Sequence, residues 1–207
     1  MTIDNVLEPK APARAQAQRD RILKAAQQCF VEHGFHSASM ANIADTAGMS
    51  AGLIYRYFDG KDAIILAIIE RQLEEKRSNI ASLKSEPELA QRIKELFRLW
   101  QCGDSSVMNA ALFLEMSAQA KRNPQIASAL ARSDSIIRMD FRDWLRRRAE
   151  EDGVIPDEQH IHERALALGC FIEGLAIRAV REPDLDSDLI AAALQRFLPL
   201  LLSSREH

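Results

Sequence analysis

Residues 39–61 constrain this chain more than any other stretch: S-M-A-N-I-A-D-T-A-G-M-S-A-G-L-I-Y-R-Y-F-D-G-K. Met40, Ile43, Ala44 and Ala47 recur at helical spacing, which makes one side of a short helix apolar. Gly48 can take φ > 0 and so ends that helix without steric cost. Met49 turns inward, and the Ser50 hydroxyl is placed to cap a second helix. In that helix Leu53, Ile54 and Phe58 point to a core, which leaves Ala51, Gly52, Tyr55, Arg56 and Tyr57 facing out. Two short helices joined by a tight glycine turn form a helix-turn-helix, the unit whose second helix enters the major groove of DNA.

The segment resembles the DNA-binding domain of TetR-type transcriptional regulators. The pattern of that family passes through Gly34-Phe35 and then I-A-x-x-A-G, here Ile43-Ala44-Asp45-Thr46-Ala47-Gly48. It continues as S-x-G-x-(I/L)-Y-x-(H/Y)-F, here Ser50 to Phe58, and closes on a lysine, here Lys61. Every one of these positions matches. The detailed resemblance covers residues 14–75, and beyond them it rests on helix count and order. The competing reading is a helical hairpin in an unrelated bundle.

The resemblance implies a DNA-facing set of Ser37, Ser39, Ser50, Ala51, Gly52, Tyr55, Arg56, Tyr57 and Lys61. Ala51 and Gly52 stand at the first turn, where the backbone comes near base edges but neither side chain can make a bidentate bond. Base readout then leans on Tyr55, Arg56 and Tyr57, with operator shape carrying part of the specificity. Ser39, Tyr57, Lys61 and the amides opening the next helix are the expected phosphate anchors, with Ser37 a weaker one. Tyr55 as a packing residue and Lys61 as a solvated lysine are the plainer alternatives. One such helix spans too few base pairs to select an operator. A symmetric dimer reading two half-sites about 34–36 Å apart, or somewhat more, is therefore expected.

Charge bears on this. A net charge of −3 over 207 residues argues against a nucleic-acid partner by itself. The distribution reverses that argument: Lys10, Arg14, Arg19, Arg21 and Lys24 are opposed in their stretch only by Asp20. Arg14 or Arg19 can add contacts to DNA. The acidic surplus lies further on, at Glu150-Glu151-Asp152 and at Asp184, Asp186 and Asp188.

The rest of the chain reads as all-α, about nine helices in a TetR-like arrangement, with no strand, repeat or low-complexity tract. Residues 1–13 are expected to be a disordered basic arm, 14–60 the helix-turn-helix domain, 61–82 a connector helix, and 83–207 a ligand-binding and dimerisation domain. The first helix is expected over 16–33, with Gly34 closing it. Ser85-Glu86-Pro87-Glu88 starts a helix that runs to Gly103, and further helices are expected over 105–121, 124–152, 156–181 and 187–202.

Gly169 and Gly174 sit inside the helix ending near Arg181, each costing about 1 kcal/mol against alanine. Ala165, Gly169, Ile172 and Ala176 share a face at spacings of three and four, a smooth strip that permits close helix approach. Together with Leu189, Ala193 and Phe197 of the last helix, that strip is the interface the resemblance implies, with intrachain packing as the alternative. Phe97, Trp100, Met108, Phe113, Met116, Phe141, Trp144 and Phe171 are the large side chains that would line an inducer cavity in such a family, although each is as readily core. Glu115 and Glu173 join that set because a carboxylate in apolar company must find a partner. Aromatic residues around an acid suit a lipophilic cation. An internal ion pair with Arg138, Arg142 or Arg178 is the plainer role, and acyl-type molecules and aromatic acids are rival ligands.

The three cysteines, Cys29, Cys102 and Cys170, form no CxxC pair and are expected to be buried small hydrophobes. No signal peptide and no apolar run of membrane length is present, so a soluble cytoplasmic protein is expected. No cofactor and no metal is expected: His160 and His162 are two apart and diverge on a helix.

The function these features imply is a ligand-responsive repressor. It binds a pseudo-palindromic operator in double-stranded DNA as a homodimer, and a small hydrophobic inducer, with a cation as one option, releases it. The alternatives are a DNA-binding regulator or architectural binder without inducer and, more distantly, a helical-bundle enzyme. The last is expected to lack HExxH, an ExxH pair, a phosphate-binding glycine loop and a nucleophile elbow.

Overall fold

The computed structural model describes residues 11–104, 107–155 and 157–202. Among them are nine α-helices and no strand. The chain divides into two compact units, Met1–Ala67 and Ile68–His207.

The first unit holds α1 (Ala11–Ser37), α2 (Met40–Ala47), α3 (Ala51–Tyr55) and the first turns of α4 (Lys61–Ala81). The expected arm over 1–13 falls mostly outside the described residues, and its last three belong to α1. Gly34 breaks the helical backbone of α1 at φ 72° and ψ 161°, at the residue where the sequence expects the helix to close. The inner face of α1, through Ile22, Ala26, Cys29 and Phe30, is fully buried, as are Ile43 of α2, Ile54 of α3 and Ile64 of α4. α2 and α3, of eight and five residues, are too short to persist by helix propensity, so packing of their apolar faces holds them.

The second unit contains the remainder of α4, α5 (Glu86–Gln101), α6 (Ala110–Ala120), α7 (Pro124–Glu151), α8 (Glu158–Arg181) and α9 (Ser187–Leu202). α5 packs on α8 and α9, and α7 packs on α6 and α8. Phe97, Trp144, Leu168, Leu194 and Leu198 form the centre of their shared core.

The helix starts follow their caps. The Ser85 hydroxyl accepts from the Glu88 amide at 3.4 Å and the Glu88 carboxylate accepts from the Lys84 amide at 2.9 Å. α6 begins five residues later than expected, because Asn109 is the cap: its Oδ1 accepts from the Ala111 amide at 2.8 Å. The Trp100 indole also holds the chain before it, donating to the Met108 carbonyl at 3.1 Å. α8 starts at Glu158, after Asp157 has accepted from the Gln159 and His160 amides at 2.9 and 3.2 Å. The cysteines divide: Cys29 is buried with its Sγ 3.2 Å from Thr46 Oγ1, whereas Cys102 and Cys170 are exposed. Cys102 ends α5, where the chain leaves the core, and Cys170 opens onto the cavity described below.

Glu158 couples α8 to α7. Its carboxylate receives Arg146 Nε and Nη2, both at 2.8 Å, and Arg142 Nη2 at 3.4 Å. The Arg146 hydrogen bonds, more than the charge of Arg142, hold its pKa down to about 2 from an ordinary 4.5. A depressed carboxylate contributes stability above its unfolded pKa and loses it as pH falls through the folded one. Glu158→Gln should therefore lower the melting temperature slightly at pH 7, since the pair is exposed. The gap to wild type should close between about pH 4.5 and pH 2. Melting curves across that range check it, and a gap constant with pH would contradict the assignment.

Candidate functional site

α3 presents one outward face. Ala51, Gly52, Tyr55 and Arg56 are exposed, Tyr57 is half-buried, and Ile54 and Phe58 anchor the hairpin beneath them. Tyr55 keeps 54% of its surface accessible, so it does not pack the hairpin. Gly48 turns the chain between the helices at φ 60° and ψ 42°, and its amide closes α2 onto the Ala44 and Asp45 carbonyls. A side chain there would be strained, and its Cβ would also stand 2.7 Å from Arg21 Nη2.

The two serine caps are used locally. Ser39 and Asn42 form a reciprocal capping box: the Asn42 amide donates to Ser39 Oγ at 3.1 Å, and the Ser39 amide donates to Asn42 Oδ1 at 2.9 Å. Ser50 Oγ accepts from the Leu53 amide at 3.3 Å. Both serines and Ser37 remain exposed at the ends of their helices. Gly48-Met49-Ser50-Ala51-Gly52 also fits the G-x-S-x-G spacing of a nucleophile elbow. That elbow follows a strand, whereas a helix precedes this serine and its hydroxyl serves the backbone of α3.

Lys61 is placed differently from both sequence readings. Its ammonium donates to the carbonyls of Phe35 at 2.7 Å, His36 at 3.1 Å and Ala38 at 2.7 Å, and lies 4.8 Å from the Phe35 ring centroid. An ammonium has three N–H donors, and all three are consumed in holding the turn that leads from α1 into Ser39. Arg19 lies against its own unit too, with its guanidinium 4.5 Å over the Phe58 ring.

In the second unit a cavity of about 1070 Å³ opens among α4, α5, α6, α7 and α8. Its apolar wall includes Leu89, Ile93, Trp100, Phe113, Ile137 and Phe141. Trp100, Met108, Phe113, Phe141 and Glu173 of the expected pocket set line it. The others lie elsewhere. Phe97, Met116 and Trp144 are buried in close packing, Glu115 sits on α6 away from the lining, and Phe171 stacks on Phe197 with centroids 5.1 Å apart. The strip Ala165, Gly169, Ile172 and Ala176 turns toward the cavity, and Ala165 and Ala176 are buried there. Leu189, Ala193 and Phe197 are exposed along one side of α9, continued by Leu200 at 70%. On α8 the exposed large apolar residues are Leu166 and Val180.

Lys76 and Asp134 of the cavity lining escaped the sequence reading, which names Arg138 beside them only as an ion-pair partner. A signal was present. Lys76 stands in the stripe Ile69, Leu73, Ile80 of α4, and Asp134 in the stripe Leu130, Ile137, Phe141 of α7, each at spacings of three and four. A charge on an apolar stripe marks either a partner or a cavity. Lys76, Asp134 and Glu173 keep accessible surface because the cavity is open, yet protein crowds them. Desolvation is the largest influence on each, lowering the pKa of Lys76 and raising those of Asp134 and Glu173. Asp134 raises Glu173 further, and Lys76 and Arg138 oppose the rise. Arg142 and Arg178, the other partners considered for Glu173, pair with Glu158 and Glu182.

No group of three side chains able to hold a metal occurs among the described residues. No described helix is long and apolar enough to cross a membrane.

Comparison with known proteins joins the two units. Residues 22–68 match the family model of bacterial regulatory proteins of the tetR family, and residues 85–203 match that of the BetI-type transcriptional repressor C-terminal domain. The HTH-type transcriptional regulator UidR of Escherichia coli strain K12 is 33% identical over 147 residues, 69% of this chain and 72% of that protein. SrpR of Pseudomonas putida, another HTH-type transcriptional regulator, is 27% identical over 203 residues, 93% of this chain and 89% of that one. The solved structure of Salmonella enterica GusR superposes with a TM-score of 0.73 at 28% identity, covering 96% of this chain and 99% of that one.

Proposed function

The chain belongs to the TetR family of bacterial regulatory proteins, and from that premise we propose that it is a repressor whose hold on a pseudo-palindromic operator is released by a small molecule in the α4–α8 cavity. Transcription regulation through a DNA-binding helix-turn-helix follows from the family. The operator, the dimer and the inducer are the further steps.

One observation carries the proposal. The same helix, α4, supplies Lys61, which holds the turn into α2, and Lys76, which lines the cavity. A ligand that repositions α4 at Lys76 therefore acts on the element that fixes the helix-turn-helix. Such a ligand shifts the equilibrium only by its differential affinity for the two states, and operator must weaken the ligand by the same factor.

On DNA, Tyr55 of α3 and Arg56, which caps that helix, are the base-reading side chains, with Tyr57 and Ser39 on phosphates. Lys61 acts through the turn it holds. The dimer forms through α9, where Leu189, Ala193, Phe197 and Leu200 recur at spacings of four, four and three. An apolar row of this kind on a monomer marks an interaction surface. A regulator without inducer would need no cavity of this volume between its middle helices.

Selection from a library of random duplexes tests the proposal. The expected outcome is enrichment of an inverted repeat with half-sites about 10–10.5 bp apart, or a wider spacing that keeps both on one face. Enrichment of a single unrepeated site, or of none, would overturn the dimeric operator.

A further inference from the structure

The cavity carries an arrangement of charge that narrows its ligand. Eight charged side chains reach its lining, and four of them are engaged close by. Glu74 pairs with Arg77 at 3.8 Å, Glu75 with Arg71 at 3.6 Å, and Glu95 with Arg98 at 2.7 Å. Arg92 pairs with Glu88 and donates to the Asn79 carbonyl at 2.8 Å and to Ser82 Oγ at 2.9 Å. The other four are Lys76 of α4, Asp134 and Arg138 of α7, and Glu173 of α8. Among the described residues no ion pair within 4.0 Å joins any two of these four, although Lys76 and Arg138 act on both carboxylates through space.

Two cations and two anions therefore border one cavity from three helices without closing on each other. Lys76, Asp134 and Glu173 are partly desolvated there without a close partner, which disfavours their charged forms. A ligand that meets both signs offsets that penalty. A simple cation drawn to Glu173 and Asp134 also meets Lys76 and Arg138, and a simple anion drawn to the bases meets the carboxylates. Leu89, Ile93, Trp100, Phe113 and Phe141 supply the large apolar part of the same lining.

We infer that the cavity takes an amphiphile with an apolar body and a head group that is neutral overall and satisfies both signs at once, a polyol or a zwitterion. A polyol donates its O–H groups to Asp134 and Glu173 and accepts from Lys76 and Arg138; a zwitterion matches them charge for charge. The inference rests on the reading that this cavity is the regulatory ligand site. It also sets aside the lipophilic cation that Glu173 alone suggests.

Calorimetric titration of the full chain with four octyl compounds, each below its micelle-forming concentration, tests it. The probes are n-octyl β-D-glucoside, an n-octyl sulfobetaine, octyltrimethylammonium and octanoate. The expected result is saturable binding of the glucoside or the sulfobetaine, whichever source the head group resembles, at least tenfold tighter than either ion. Glu173→Gln should shift selectivity at least tenfold toward octanoate, and Lys76→Met should shift it toward the ammonium. Asp134→Asn repeats the first arm if Glu173→Gln does not fold, as judged by circular dichroism. An ion that binds wild type as tightly as the neutral probes, or selectivity that the substitutions leave unmoved, overturns the inference. Silence from all four probes contradicts the cavity as a ligand site, and with it the inducer step of the proposed function.

Discussion

Lys61→Met should destabilise the amino-terminal unit by about 2–3 kcal/mol, the scale of losing charge-assisted hydrogen bonds to partly buried acceptors. It should also weaken DNA binding at least tenfold. The ammonium of Lys61 ties three successive-turn carbonyls, Phe35, His36 and Ala38, which fix where α2 begins. Freed, that turn no longer sets the position of Ser39 and of the hairpin behind it. Arginine should not rescue, because a planar fork cannot point three donors at carbonyls grouped around one atom. The salt dependence separates this role from a phosphate contact. A lost contact lowers the slope of log affinity against log salt by about 0.9, whereas a lost clamp leaves the slope unchanged and lowers the DNA-free melting temperature.

Phe97→Ala should cost about 3–5 kcal/mol, the range for a large aromatic removed from close packing. Phe97 is fully buried at the centre of the carboxy-terminal core. Phe113→Ala should cost well under half as much, because that ring already borders open cavity and its loss enlarges a space rather than creating one. Urea denaturation followed by far-UV circular dichroism compares the two. Equal costs would mean that the cavity is not open in solution.

Those two phenylalanines show what the sequence can and cannot carry. Both sit among apolar residues at helical spacing, which marks each as inward-facing. Whether inward means core or cavity depends on how neighbouring helices splay, which no single helix encodes. The same limit moved Ala165 and Ala176 from an expected outer face to the cavity side of α8. The helix-turn-helix was legible because its determinants are local: a φ > 0 glycine at 48, caps at Ser39 and Ser50, and apolar spacing over a few turns. The starts of α6 and α8 were less so, since Asn109 and Asp157 cap them from positions the hydrophobic pattern had already assigned to helix. Lys61 lies between these cases. Its position was plain, but its partners are 23 to 26 residues away and follow only from the fold.

The central claim is that the exposed face of α3 reads DNA sequence. The most direct test is the affinity of the protein for its selected duplex and for a scrambled duplex at one salt concentration, for wild type and for the paired substitution Tyr55→Ala, Arg56→Ala. Wild type should prefer the selected duplex by about 10³-fold or more. The paired variant should bind both duplexes alike, with only the salt-dependent backbone affinity left. A variant that keeps the wild-type preference would contradict the assignment of sequence reading to α3.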